Sequence, residues 1–184
     1  MSLTVVDRLY DEFEALKRHL DEAGEVSLRS TADENFRKSL LLAAASYFER
    51  RISDLVVEFA KESFQIDHPI IEFLKNKAIS RQYHTYFKWD SSNANQFFGL
   101  FGETFRIFMV KEIKSDFELE TSIKAFLELG NDRNRLVHQD FGTFPLEKTS
   151  DEIYQLYKSA LRFVDSLPLK LRACTSNQQN QIQQ

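Results

Sequence analysis

Residues that reverse or break a helix are scarce in this chain, with five glycines and three prolines among 184 residues. A many-stranded β fold spends Gly, Pro and Asn-Gly pairs at every turn, whereas long helices joined by a few loops need little of either. The shortage selects an all-α architecture, a helical bundle of about five to six helices. The length suits one domain that buries roughly 70% of its unfolded surface. With 17 phenylalanines, the core of that domain should be largely aromatic.

Several function classes drop out early. A single cysteine, Cys174, excludes an internal disulfide framework and a Cys-based metal site. There is no run of 18 apolar residues, and the N-terminus "MSLTVVDRLYDEF" lacks the basic-then-apolar order of a signal peptide. The expectation is an intracellular, cytoplasmic protein with no membrane partner. A formal net charge of −4 argues against a non-specific duplex DNA binder, yet it leaves room for a nucleic-acid enzyme with a small basic site. His19, His68 and His84 stand at no zinc-ligand spacing and no Gly-rich phosphate loop is present, so neither metal nor cofactor is expected.

Apolar periodicity places the elements. Val5, Leu9, Phe13, Leu16 and Leu20 mark a helix over 4–22 that stops at Gly24. Thr31 and Glu34 form a capping-box pattern for a long helix from about Ala32 to about Ser63. Asp67 and Pro69 suit the start of a short helix over about 69–80. "SRQYHTYFKWDSSN" reads as a structured loop. Asn93 with Gln96 could cap a fourth helix through "NQFFGLFGETFRIFMVKEI", where Gly99 and Gly102 would permit close packing. A fifth runs from about Glu120 to His138. A last one follows a Thr149–Glu152 capping box to about Leu171. The domain spans 1–172, and 173–184 reads as a polar, disordered tail.

The fifth helix carries polar residues on its apolar face. At about 100° per residue, Ile123, Phe126, Leu127, Gly130 and Val137 share one arc, flanked by Leu129 and Leu136. Asn134 falls in the middle of that arc, Arg133 lies within it, and His138 lies just beyond Leu127. An unpaired amide or guanidinium costs several kcal/mol to bury. These residues therefore belong to a polar network, a cavity or an interface. The long second helix has a similar feature: Glu49 falls among Leu42, Ala45, Ile52 and Val56. Beside it Ser39, Ser46 and Ser53 form a stripe of small residues that another helix could approach. Glu49 either faces the Arg133–His138 region or is a solvated flank residue paired with a local cation.

Between Glu72 and Asp90 there is no acidic residue, while Lys75, Lys77, Arg81, His84 and Lys88 are interleaved with Tyr83, Tyr86, Phe87 and Trp89. Such a stretch either grips single-stranded RNA or is a solvated basic loop whose aromatics anchor it to the core.

The segment "RNRLVH", Arg133 to His138, resembles the R-x4-6-H motif of the HEPN superfamily, with a polar residue directly after the Arg. "LLLAAASYFERRISDLV" is similar to the long early helix of these domains, and "YHTYFKWDSSNANQFFGLFG" to the middle of the RiboL-PSP-HEPN branch. The resemblance covers about residues 5–170. It implies a compact helical bundle and a metal-independent endoribonuclease, working as a homodimer through the motif face. Cleavage by 2′-OH attack would leave a 2′,3′-cyclic phosphate. His138 would move the proton, Arg133 would bind the phosphate and Asn134 would orient its neighbours, with Glu49 a less direct transfer. Arg50, Arg135 and the cations of 75–88 would bind RNA. Family settings add defence or toxin–antitoxin systems and an antitoxin protein as partner. The alternative is a non-catalytic HEPN module that binds RNA, nucleotide or a protein. A purely structural dimerisation bundle is a third reading.

Overall fold

The computed structural model describes residues 3–64 and 68–182, with side chains through 176. No strand occurs among the described residues. Helix α1, Val5–Glu22, is capped by Thr4, whose hydroxyl accepts from the Asp7 N–H while Asp7 answers the Thr4 N–H. Gly24 turns the chain at φ 72°, a left-handed conformation that glycine adopts without strain. Helix α2, Val26–Ser63, therefore starts well before Ala32. Thr31 is inside it, with its hydroxyl donating to the Ser27 carbonyl at 3.2 Å. Glu34 pairs with Lys38 at 3.5 Å rather than closing a capping box.

Helix α3, Pro69–Leu74, is capped by His68, whose Nδ1 accepts from the Ile70 N–H at 3.2 Å. Asp67, the expected cap, lies outside the described residues. The helix does not run to 80 as one α segment: Lys75–Ile79 form a π turn closed by the Ser80 N–H on the Lys75 carbonyl at 2.8 Å. The segment expected to be loop contains a single helical turn, α4, Tyr83–Tyr86.

The expected fourth helix is two. Asn93 accepts from the Asn95 N–H, α5 covers Asn95–Gly99, and α6 covers Glu103–Ser115. Gly102 separates them at φ 97°, and open space surrounds both Gly99 and Gly102. Gly102 reverses the backbone, Gly99 ends α5 as an ordinary helical residue, and neither serves close packing. Helix α7, Phe117–His138, begins earlier than Glu120 because Asp116 caps it, accepting from the Leu119 N–H at 2.9 Å. The Thr149–Glu152 capping box is present, and α8 runs from Ser150 to Ile182. It passes Leu171 because the apolar stripe continues to buried Cys174 and Arg172 grips Glu62 at 2.5 Å. The described part of the tail is thus helical. These short pieces raise the helix count to eight among the described residues.

Cross-links fix the directions of the long helices. Arg162 of α8 bonds Asp116 and Glu118 at the start of α7, while Lys148, just before α8, bonds Asp132 near its end. The two helices are antiparallel. Pairs Tyr47–Tyr157, Arg51–Asp165 and Glu62–Arg172 set α2 parallel to α8. Helix α1 packs back along α2 through the stacked Phe13 and Phe36. Aromatic rings fill the centre, as the composition implied: Phe48, Phe87, Phe97, Phe126, Tyr157 and Phe163 are all buried. Of the small-residue stripe on α2, Ser39 and Ser46 are exposed and Ser53 is half-buried, so no described helix packs along the Ser39–Ser46 part of that edge.

Candidate active site

A cleft of about 570 Å³ opens where α2, the 81–89 segment and the last turns of α7 meet. Its lining includes Glu49 from α2, Arg81, Tyr83, His84 and Trp89 from the segment, and Arg133, Asn134 and His138 from α7. The polar residues on the apolar arc of α7 therefore face a cavity rather than a dry core. Arg133 and Asn134 are half-buried and His138, the final helical residue, is exposed. Val137, expected within the buried arc, is 46% exposed and lines the same cleft.

Arg133 Nη1 donates to Asn134 Oδ1 at 3.1 Å, which restrains the guanidinium plane and leaves its other N–H groups open. No carboxylate among the described residues lies within 4.0 Å of Arg133 or Arg81. Glu49 contributes the one carboxylate of the lining, against two guanidiniums. The cleft is locally positive in an acidic protein. Burial and then the Glu49 charge push the Tyr83 phenol well above its ordinary value, with Arg133 acting in the opposite sense. Tyr83 accordingly stays protonated and can donate a hydrogen bond into the cleft.

The wall formed by the 81–89 segment rests on one glycine. A Cβ built on Gly130 would meet the Trp89 ring, 3.1 Å from Cη2 and closer still to Cζ3 and Cε3. The ring lies directly on the α7 backbone, one turn before Arg133 and Asn134. Trp89 Nε1 then donates to the His84 carbonyl at 3.1 Å. Gln96 reaches the Thr85 carbonyl at 2.7 Å and the Tyr86 hydroxyl reaches the Ala78 carbonyl at 2.7 Å. Arg81 sits at φ 60°, a left-handed conformation uncommon for a residue with a side chain.

The far end of α7 is braced as well. Asp132, 6% exposed, accepts from Lys148 at 2.7 Å, and Glu128 pairs with the same ammonium at 2.8 Å. Burial alone would lower the Lys148 value, but its bonds to Asp132 and Glu128 hold it above the ordinary one. Lys38, 2% exposed, donates to the Phe141 carbonyl at 2.8 Å, and Arg37 donates to the Leu146 carbonyl at 2.9 Å. The loop that follows His138 is thereby tied to α2.

Of the sequence candidates, Arg133, Asn134, His138, Glu49, Arg81 and His84 converge on the cleft. The others do not. Arg50 pairs with Asp54 at 3.6 Å on the surface, and Arg135 turns to Asp132 at 3.7 Å and lies 5.6 Å from the Phe144 ring centroid. Lys75 pairs with Glu72 at 2.5 Å, Lys77 lines a separate apolar groove beside Phe59 and Phe101, and Lys88 is exposed outside the cleft. Sequence reasoning missed the Asp132–Lys148 pair and the Trp89–Gly130 contact. A buried Asp at an i−1 position from Arg133 carries no periodic signal, and a glycine's neighbour is set by tertiary packing.

A family model described as RiboL-PSP-HEPN matches residues 7–172. The chain belongs to the RiboL-PSP-HEPN family. That match covers the whole cleft, from Ala45 to His138, and agrees with the all-helical architecture. No curated protein and no solved structure matches the chain. Among the described residues no helix is long and apolar enough to cross a membrane, and no group of three or more His, Cys, Asp or Glu is placed to hold a metal ion.

Proposed function

We propose that this RiboL-PSP-HEPN chain is an endoribonuclease. It would cleave RNA by attack of a ribose 2′-OH on the adjacent phosphate, without metal, leaving a 2′,3′-cyclic phosphate. The observation that carries the reading is the convergence of Arg133, Asn134 and His138 on one cleft whose guanidiniums have no carboxylate partner among the described residues. An Arg held by a neighbouring amide presents a preset fork to phosphate oxygens and stays charged at any working pH. Imidazole is the side chain best suited to exchange a proton near neutrality. Glu49, opposite, would restrain the cations and the Tyr83 hydroxyl. A defence or toxin–antitoxin role, an antitoxin partner, a cytoplasmic site of action and a homodimer through the motif face belong to the same proposal. Exposed Val137 and Phe141 beside His138 supply apolar surface for such a face.

The test is cleavage of labelled single-stranded and structured RNAs in excess chelator, beside a His138→Ala protein of matched thermal stability. Loss of a general acid or base lowers the rate by about 10²–10⁴-fold. Cutting by the wild type alone supports the proposal. Equal cutting by both removes His138 from the chemistry. Binding of RNA or nucleotide without cutting would make the chain a non-catalytic HEPN module.

A further inference from the structure

We propose that the apolar groove on the other side of the 81–89 segment binds a small carboxylate with an apolar, acyl-like body, its acid group at Lys77. The site lies outside the cleft and is independent of the ribonuclease reading. The groove, about 460 Å³, opens between the last turns of α2, the π turn and α5. Sites for drug-sized ligands run from about 300 to 1,000 Å³. Its walls are largely hydrocarbon: Val56 and Phe59 of α2, Leu74 of α3, Tyr86 of α4, and Phe97 and Phe101. Phe64 and Leu100, which also line it, are 47% and 58% exposed, so the empty groove leaves apolar surface in water.

The few polar groups of the lining define the other end of the ligand. The Ser63 hydroxyl donates to the Phe59 carbonyl at 2.9 Å, Thr85 to the Gln82 carbonyl at 2.8 Å and Tyr86 to the Ala78 carbonyl at 2.7 Å. A hydroxyl has one proton, so none of the three can donate again. The side-chain donors that remain in the lining are the Lys77 ammonium and the Gln82 amide. Lys77 is also the one charge of the lining, and no acidic residue shares the groove with it. A complementary ligand therefore brings an acceptor and a negative charge. A nucleotide would carry several charges and a polar sugar into hydrocarbon walls that match neither. One carboxylate on an apolar body matches both ends.

Groove and cleft share the 81–89 segment as a wall. Gln82, Thr85 and Tyr86 line the groove, while Arg81, Tyr83, His84 and Trp89 line the cleft. The Tyr86 and Tyr83 ring centroids are 6.1 Å apart, and those of Tyr83 and Trp89 are 5.5 Å apart. Lys77 and Ala78 enter the groove from the π turn, a conformation that recurs at functional sites. A body seated against Lys77, Gln82 and Tyr86 bears on the aromatic rings behind the cleft. The setting of the segment then differs between the filled and the empty groove.

The test is calorimetry on the full chain with decanoate, octanoate and decyltrimethylammonium, each below its micellar concentration. Decanoate should bind one-to-one and about 10-fold tighter than octanoate, since two more methylenes leave water. It should also bind about 5-fold or more tighter than decyltrimethylammonium, and Lys77→Glu should reverse that preference. Ser63→Phe and Ala78→Phe, both at exposed positions of the lining, should fill the groove and abolish binding while helical circular dichroism is unchanged. Bound decanoate should shift the emission of Trp89, the only tryptophan. Equal affinity for the anion and the cation, no effect of Lys77→Glu, or binding retained in both filled variants would each overturn the proposal. So would a failure of decanoate to bind at all, the result expected of a face that docks a protein instead. Binding with unchanged Trp89 emission would overturn the link to the cleft.

Discussion

Gly130→Ala exchanges one hydrogen for a methyl group and tests how the cleft is built. In an open helix interior the change stabilises by about 0.5–1 kcal/mol, because alanine loses less backbone freedom than glycine. Here the new Cβ would fall against the Trp89 ring, 3.1 Å from Cη2 and nearer to two other ring carbons. Restoring the ~3.5–4.0 Å separation of packed carbons requires the ring to retreat by more than ~1 Å. Overpacking of this kind costs about 1–3 kcal/mol. Moving the indole also weakens the bond to the His84 carbonyl, a further ~0.5–1.5 kcal/mol. Subtracting the propensity gain leaves a net destabilisation of about 0.5–4 kcal/mol, or roughly 2–4 °C in Tm per kcal/mol for a chain of this size. Thermal melts give the sign, and Trp89 is the only tryptophan, so its emission reports the displacement directly. RNA cleavage should fall with it, since Arg81 and His84 ride on the displaced segment. A variant more stable than wild type with an unchanged emission spectrum would refute the seating of Trp89 on α7.

Two further outcomes concern the frame around the cleft. Asp7 is held at about 2 against an ordinary 3.8: burial alone would raise it, and bonds from the Thr4 N–H and hydroxyl, Tyr154 and Lys158 outweigh that. The fold favours the charged form, so its contribution is complete above about pH 4 and is lost as pH falls toward 2, worth about 1–2 kcal/mol after solvent screening. Asp7→Asn should lower the denaturation midpoint at neutral pH and flatten the acid decline, and an identical acid limb in both proteins would count against it. Lys38→Met should leave the Phe141 carbonyl unpaired at a cost of about 1–3 kcal/mol and open the 139–149 loop to protease; unchanged cleavage kinetics would show that Lys38 does not brace the loop.

The long helices were readable because their signals are local. Periodic apolar residues and the capping patterns at Gly24 and Thr149–Glu152 specify α1, α7 and the start of α8 without reference to tertiary structure. The Thr31–Glu34 pattern misled because a capping box inside a helix looks the same in sequence as one that starts it. Only the turn at Gly24 decides between them. The Arg133, Asn134 and His138 anomaly was visible as a violation of periodicity. What they face was not, since the opposing wall comes from residues 81–89, whose placement depends on an irregular segment. Arg81 and His84 were picked out by composition together with Lys75, Lys77 and Lys88. Charge counting could not separate those that enter the cleft from those that pair on the surface.

The π turn at Lys75–Ile79 has a geometric consequence for that opposing wall. It accommodates about one residue beyond what an α-helix would hold over the same rise. Each residue in a helix advances the chain by about 100°, so one residue fewer here would swing the exit direction by roughly a quarter turn. Arg81, Tyr83 and His84 would then leave α3 on another heading with their identities untouched. The aim of one side of the cleft is thus encoded in chain length rather than in side chains. A relative with every lining residue intact, but one residue shorter between Leu74 and Ser80, would own the same inventory and a different cleft.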